Sequence, residues 1–165
     1  VARDDDSDDI VAVMWVQLLG ASRVAFIPYF AVDRVHQGCG IGQGFFDYVR
    51  QRLAAEGSAD VLLWEIEVPD DGPDGPRCRR LRFYEKLGAQ VVAHARNFRV
   101  PDVTACGELM PLWLMFLPVG DAAPANDWAD AYAWVDALLS HDIDYARCTE
   151  HREQILAEMR AAAPR

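Results

Sequence analysis

The stretch "HQGCGIGQG", His36 to Gly44, ends in four glycines within seven residues. It follows an apolar run, "VAFIPYFAV", and leads directly into an amphipathic one, "FFDYVRQRLAAEG". Glycine costs conformational entropy on folding, so such a cluster marks unusual backbone angles or a close approach to bare backbone. Two answers fit: a tight turn, or a ligand laid against the chain. The first turn of a helix presents unpaired N–H groups and the positive end of the macrodipole. With side chains removed just ahead of it, a pyrophosphate can reach those donors. A Walker loop is excluded, because no Gly-Lys-Ser/Thr end exists here. The dinucleotide fingerprint G-x-G-x-x-G is excluded too: started at Gly38 its last glycine falls on Gln43, and started at Gly40 it falls on Phe45.

The loop needs a strand before it and a helix after it, and the surrounding pattern supplies both. "VAR" reads as the end of a strand, and "DDDSDD" as a polar turn without the spacing or glycine of a calcium loop. "IVAVMWVQLL" and "RVAFIPYFAV", joined by "GAS", predict a hairpin. Residues 41–56 predict a helix with Ile41, Phe45, Tyr48, Val49 and Leu53 on one side and Gly57 as its C-cap. "DVLLWEIEV" is a strand that sets Glu65 and Glu67 on one face, "PDDGPDGP" a loop, and "RCRRLRFYEKLG" a short helix closed by Gly88. "AQVVAHARNFRV" and "PLWLMFLPV" predict two strands across a loop, and residues 126–160 two helices, with Asn126 as N-cap of the first. The order is β-β-β-α-β-α-β-β, then α-α. The strand–helix–strand unit around the glycine loop implies a parallel pair and the hairpins antiparallel ones. The fold class is therefore α/β, with a mixed sheet flanked by helices and a C-terminal helical extension over residues 121–165. Ala131, Trp134, Val135 and Leu138 share a face that either packs on the sheet or joins another subunit, as in a homodimer.

Composition narrows the function classes. A chain of 165 residues, about half of them apolar, can bury one sizeable core. The net charge of −10 argues against nucleic acid as a partner. An acidic surface suits cationic substrates, or solubility alone. No apolar run approaches the ~20 residues of a membrane span, and no signal peptide is visible. Cys39, Cys78, Cys106 and Cys148 are widely spaced with no C-x-x-C pair, so no metal site is expected. They read as reduced thiols of a cytoplasmic protein.

One pattern does fit the glycine loop. "QGCGIG", Gln37 to Gly42, has the form Q/R-x-x-G-x-G/A. Preceded by a strand and followed by a helix, it resembles the acyl-CoA-binding motif of the GNAT superfamily of N-acyltransferases. "RFYEKLGA", Arg82 to Ala89, is similar to that family's downstream Y-E-K-L-G-F segment, one strand later and in the right order. The resemblance covers about residues 9–118. It implies a splayed sheet over residues 1–120, whose usual first strand and two following helices would precede Val1.

The resemblance also implies roles. The strands on either side of the glycine-loop helix would part, and the pantetheine arm of acetyl-CoA would pair with the backbone of Phe30, Ala31 and Val32. The pyrophosphate would meet amides of Gln37, Gly38, Cys39, Gly40, Ile41, Gly42 and Gln43. Transfer to an amine requires a base for the acceptor and an acid for the departing thiolate. Tyr84 matches the family's tyrosine near the thioester sulfur, the candidate acid. "WEI" resembles a stretch whose glutamate is the base, which maps onto Glu65, with Glu67 as the other candidate. The acceptor would be a small-molecule or peptide amine. Arg77 stands where many relatives carry asparagine, and Arg77, Arg79, Arg80 and Arg82 either reach the 3′-phosphate of CoA or pair with acidic neighbours. Trp15, Tyr29 and Trp113 read as core aromatics, or as the lining of an acceptor pocket. The reading from another class is a non-catalytic CoA-binding or interaction module with the same fold.

Overall fold

Strand-forming residues dominate the first part of the chain, and they pair as the predicted hairpin. β1 (Ala2–Arg3) lies antiparallel to β2 (Ile10–Leu18), which lies antiparallel to β3 (Val24–Val32). A computed structural model describes residues 1–95, 98–101, 109–121, 124–141 and 149–164. The glycine loop passes through a 3-10 turn at Arg34–His36 into α1 (Ile41–Glu56), and the chain returns along β4 (Val61–Glu67), parallel to β3. α2 (Pro76–Lys86), β5 (Gln90–Val91), β6 (Arg99–Pro101), β7 (Leu109–Pro118), α3 (Trp128–His141) and α4 (Thr149–Ala161) follow. Among the described residues the sheet order is β1-β2-β3-β4-β7-β5, with β6 also on β7. The sheet is mixed, as the crossover and hairpins require.

Side chains alternate across β4, so the sheet buries two cores. Leu62, Trp64 and Ile66 pack with Phe46, Val49 and Leu53 of α1 and Tyr84 of α2. Leu63 joins Leu114, Phe116 and the buried face of α3 and α4 on the other side. Helices thus cover both faces, and each apolar stripe has a partner.

Local signals explain the element ends. Gly57 closes α1 in the left-handed region at φ 59°, and Gly88 follows α2 at φ 87°. α2 starts where Asp71 accepts the backbone N–H groups of Arg77 and Cys78 at 2.8 and 3.2 Å. The buried stripe of α1 is Phe46, Val49 and Leu53, rotated from the predicted one, and Tyr48 is exposed. Two adjacent phenylalanines offered two registers. Phe46 wins because its ring meets Phe30, Trp64 and Tyr84.

Two expectations are corrected downstream. The predicted strand 89–100 is broken after Val91, and Arg99–Pro101 pairs separately with β7. Asn126 binds the chain at the break and is not a helix cap. Its side chain accepts from the Ala93 N–H at 3.0 Å and donates to the Val91 carbonyl at 3.1 Å. The cap is Asp127, whose carboxylate accepts from the Asp130 N–H at 3.0 Å. The face of α3 carrying Ala131, Trp134, Val135 and Leu138 packs on the sheet, with Trp134 4.9 Å from Phe116 between ring centroids. No helix among the described residues is long and apolar enough to cross a membrane.

Trp134 is therefore a core residue, which fixes an expectation for the C-terminal helices. Trp134→Ala should destabilise the chain by about 3–5 kcal/mol in chemical denaturation. A loss below about 1 kcal/mol would mean that α3 does not share the sheet's core.

Candidate active site

β3 and β4 pair only at Val24–Val61, Ala25–Leu62 and Phe26–Leu63. β3 continues to Val32 and β4 to Glu67 without further pairing between them. The register with β2 explains why. Trp15 faces Tyr29 and Gln17 faces Phe26, so Val16 stands against both Ile27 and Pro28. One extra residue makes a bulge, which bends its strand. Proline lacks a ladder donor and is tolerated at such a place. The closed end is tied: the Arg23 guanidinium donates to both carboxylate oxygens of Asp60, at 2.6 and 2.5 Å, and the Asp60 N–H donates to the Arg23 carbonyl at 2.8 Å. The strands therefore part from a pinned base.

The parting opens a cleft of about 270 Å³. Pro28, Tyr29 and Phe30 line it from β3, Trp64 and Glu65 from β4, and Arg80 and Tyr84 from α2. Phe30, Ala31 and Val32 pair with Met14, Val13 and Ala12 on one edge and have no strand on the other among the described residues.

The glycine loop sits beyond the end of β3. Gly38 and Gly40 lie at φ 84° and 82°, where a side chain would be strained. Gly42 is helical, and a Cβ there would come 3.1 Å from Phe83. At Gly44 a Cβ would meet nothing within 4 Å. The Gln37 side chain donates to the Val32 carbonyl at 3.1 Å, and its own N–H donates to the Arg34 carbonyl at 3.4 Å. From Gly38 through Gln43 the backbone N–H groups have no hydrogen-bond partner among the described residues. Six consecutive donors at the positive end of a helix suit an anion. Cys39 and Cys78 are free thiols, and Cys106 and Cys148 lie outside the described residues.

The two predicted carboxylates separate. Glu65 is half-buried and lines the cleft. Glu67 accepts from Arg80 at 2.8 Å and lies 3.6 Å from Arg77. The arginines of α2 serve the neighbouring loop. Arg77 also pairs with Asp70 at 2.6 Å, Arg79 donates to the Asp74 carbonyl, and Arg82 donates to the Pro73 carbonyl at 2.6 Å. Tyr84 is 8% exposed, with its ring 5.0 Å from Trp64 and 5.7 Å from Phe46 between centroids. Its hydroxyl has no hydrogen-bond partner among the described residues. Burial pushes that hydroxyl above the usual phenol value, with the Arg80 charge opposing the shift. The group stays protonated at neutral pH.

Sequence reasoning missed Trp64, Phe46 and Arg80 as lining, and two signals were available. Pro28 inside a strand pattern points to a bulge, and Arg80 stands one helical turn before Tyr84. Trp15 and Tyr29 are not core: they face each other across β2 and β3 and are 55% and 57% exposed.

No family model and no curated protein matches the chain. Solved structures do. The ribosomal-protein-S18-alanine N-acetyltransferase from Escherichia coli superposes with a TM-score of 0.52 at 20% identity, covering 74% of this chain and 69% of its own. An aminoglycoside 6′-N-acetyltransferase complexed with coenzyme A gives 0.54 at 15%, covering 74% and 73%. A GNAT-family protein from Bacteroides thetaiotaomicron, assigned as an acetyltransferase, gives 0.58 at 14%, covering 85% and 70%.

The burial of Tyr84 yields a measurable pH effect. Its folded-state pKa lies above the unfolded value of about 10. The stabilisation from the neutral phenol is complete below that value and is lost as pH rises toward the folded pKa. Above pH ~10 the wild type should lose stability faster than Tyr84→Phe in denaturant unfolding. Parallel curves would place the hydroxyl in solvent.

Proposed function

We propose that this chain, whose fold is that of the GNAT superfamily, transfers an acetyl or other acyl group from acyl-CoA to a primary amine of a small molecule or peptide. One observation carries the reading: β3 parts from β4 beside six consecutive unpartnered amides. An open strand edge accepts an extended amide-bearing chain as a further strand, and Phe30, Ala31 and Val32 offer one. The amides of Gly38 to Gln43 take the pyrophosphate. Gln37 contributes by fixing the loop to the end of β3. The fit needs no metal. Amines are the acceptors named for two of the structural neighbours, a ribosomal-protein alanine and an aminoglycoside.

Chemistry follows from the two groups that meet in the cleft. Glu65 accepts a proton from the acceptor ammonium, directly or through water, so that the nitrogen can attack the thioester carbon. The C–N bond forms, the C–S bond breaks, Tyr84 donates its proton to the departing sulfur, and the proton that the new amide nitrogen sheds returns to the Tyr84 oxygen through water. Glu67 is the weaker candidate base, because Glu65 and not Glu67 lines the cleft. Arg80, paired with Glu67, is anchored at the wall that carries Tyr84.

Acetyl-CoA turnover with an amine panel, read as released thiol, tests the reading. Binding of acetyl-CoA without turnover of any amine would favour the non-catalytic CoA-binding module. Tyr84→Phe should lower kcat by about 10²-fold or more with little change in acetyl-CoA affinity by calorimetry. Wild-type turnover in that variant would remove Tyr84 from the mechanism. Glu65→Gln should lower turnover at neutral pH and flatten the acidic limb of the rate profile, while Glu67→Gln leaves that limb in place. The reverse pattern would make Glu67 the base.

A further inference from the structure

Residues from both faces of the sheet line the cleft. Phe30, Phe46, Trp64 and Tyr84 belong to the core shared with α1 and α2. Met14 and Val16 pack on that core, so alternation turns Trp15 to the other face, and Phe30 does the same for Tyr29. Glu65, between Trp64 and Ile66, joins them there. This is the face that carries α3 and α4, whose core takes in Val24, Phe26 and Leu63 at the closed end of the strands. Past that end Trp15 and Tyr29 stand opposite each other, 55% and 57% exposed, and Tyr29 lines the cleft with Glu65. Two large rings side by side in water are not needed to pair strands. An aromatic face attracts a cation, and Trp does so most strongly. The surroundings favour the same sign of guest. Glu65 brings a carboxylate to this side of the cleft, while the guanidinium groups of Arg77 and Arg80 are held by Asp70 and Glu67. The net charge of −10 draws cations to the chain as a whole.

We propose that Trp15 and Tyr29 determine acceptor specificity by holding a second cationic group of the acceptor, so that the preferred substrate is a dication with one amine at Glu65 and an ammonium on the aromatic pair. This rests on the acyl-CoA reading above. Paired strands lie about 4.8 Å apart, so Trp15, two strands from β4, is about 10 Å or more from the Glu65 backbone, and Tyr29 is nearer. An extended six-carbon spacer, seven bonds of about 1.5 Å in a zigzag, sets two nitrogens about 9 Å apart and reaches from one group to the other.

The test is binding without chemistry. The 15N-labelled protein, saturated with CoA, which carries no acyl group, is titrated with 1,6-diaminohexane and separately with hexylamine, and Kd is read from amide shifts. The diamine should move the Trp15 indole signal. It should bind about 2- to 30-fold more weakly to Trp15→Leu and to Tyr29→Leu than to the wild type, the range that a cation over a ring supplies. Hexylamine, with the same carbon chain and one charge, should lose less than about twofold. Both side chains are exposed, so the substitutions spare the core. Equal losses for the two ligands would make the pair an apolar contact and overturn the cation site. A diamine that leaves the Trp15 signal in place, in a protein whose Gly38–Gln43 amides shift with CoA, would overturn the inference and leave the acyl-CoA reading standing. No shift of those amides with CoA would overturn both. A Trp15 signal that moves on dilution of the ligand-free protein would show a second copy of the chain covering the pair, and would also overturn the inference.

Discussion

Everything the site can do depends on two neighbouring strands that stop pairing. β3 and β4 share three residue pairs and then diverge, leaving backbone groups of both strands facing a gap. Unpaired strand edges inside a fold are costly, because buried backbone donors and acceptors need partners. The chain tolerates the gap because its causes are local and its flanks are firm. The bulge at Ile27–Pro28 bends β3, Arg23 and Asp60 tie the base, and each strand keeps a full partner on its other edge. β7 matches β4 from Val61 to Glu67 without interruption. The aromatic cluster of Phe30, Phe46, Trp64 and Tyr84 packs beside the opening on the helix side.

Two similar carboxylates stand at different places along β4. Glu65 and Glu67 share a strand face and differ by one step along it. Glu67 lies within reach of Arg77 and Arg80 and serves as their anchor. Glu65 lines the cleft. The same arginine, held by Glu67, bears on Tyr84 from one helical turn away and partly offsets the burial that raises its pKa. One ion pair therefore links strand, helix and the candidate acid. Its charges are about half exposed, so its worth is in placement more than in stability.

Much of this was legible in the sequence where local physics decides. Glycine density at 38–42 marked the loop, and two of those glycines do adopt left-handed angles that other residues resist. Gly57 and Gly88 marked helix ends, and the face of α3 was read correctly because its apolar spacing has one register. The α1 stripe was misread because Phe45 and Phe46 offer two registers, and only the tertiary aromatic cluster chooses between them. Asn126 resembled a cap because its residue type suits one. Its actual role, bridging to Val91 and Ala93, depends on residues far away in the sequence. The pairing of Glu67 was illegible for the same reason: alternation puts it on one face with Glu65, and only the approach of α2 brings Arg77 and Arg80 to it. The resemblance to GNAT motifs supplied the splay and the roles, which no periodicity encodes.

The central claim is that the gap between the parted strands, together with the glycine loop, receives acyl-CoA. Backbone hydrogen exchange with and without saturating acetyl-CoA tests it most directly. The account predicts slowed exchange at Phe30 to Val32 and at Gly38 to Gln43, with α3 and α4 unchanged. Saturating ligand that leaves both segments unprotected, or protects only the α3 and α4 side of the sheet, would contradict it.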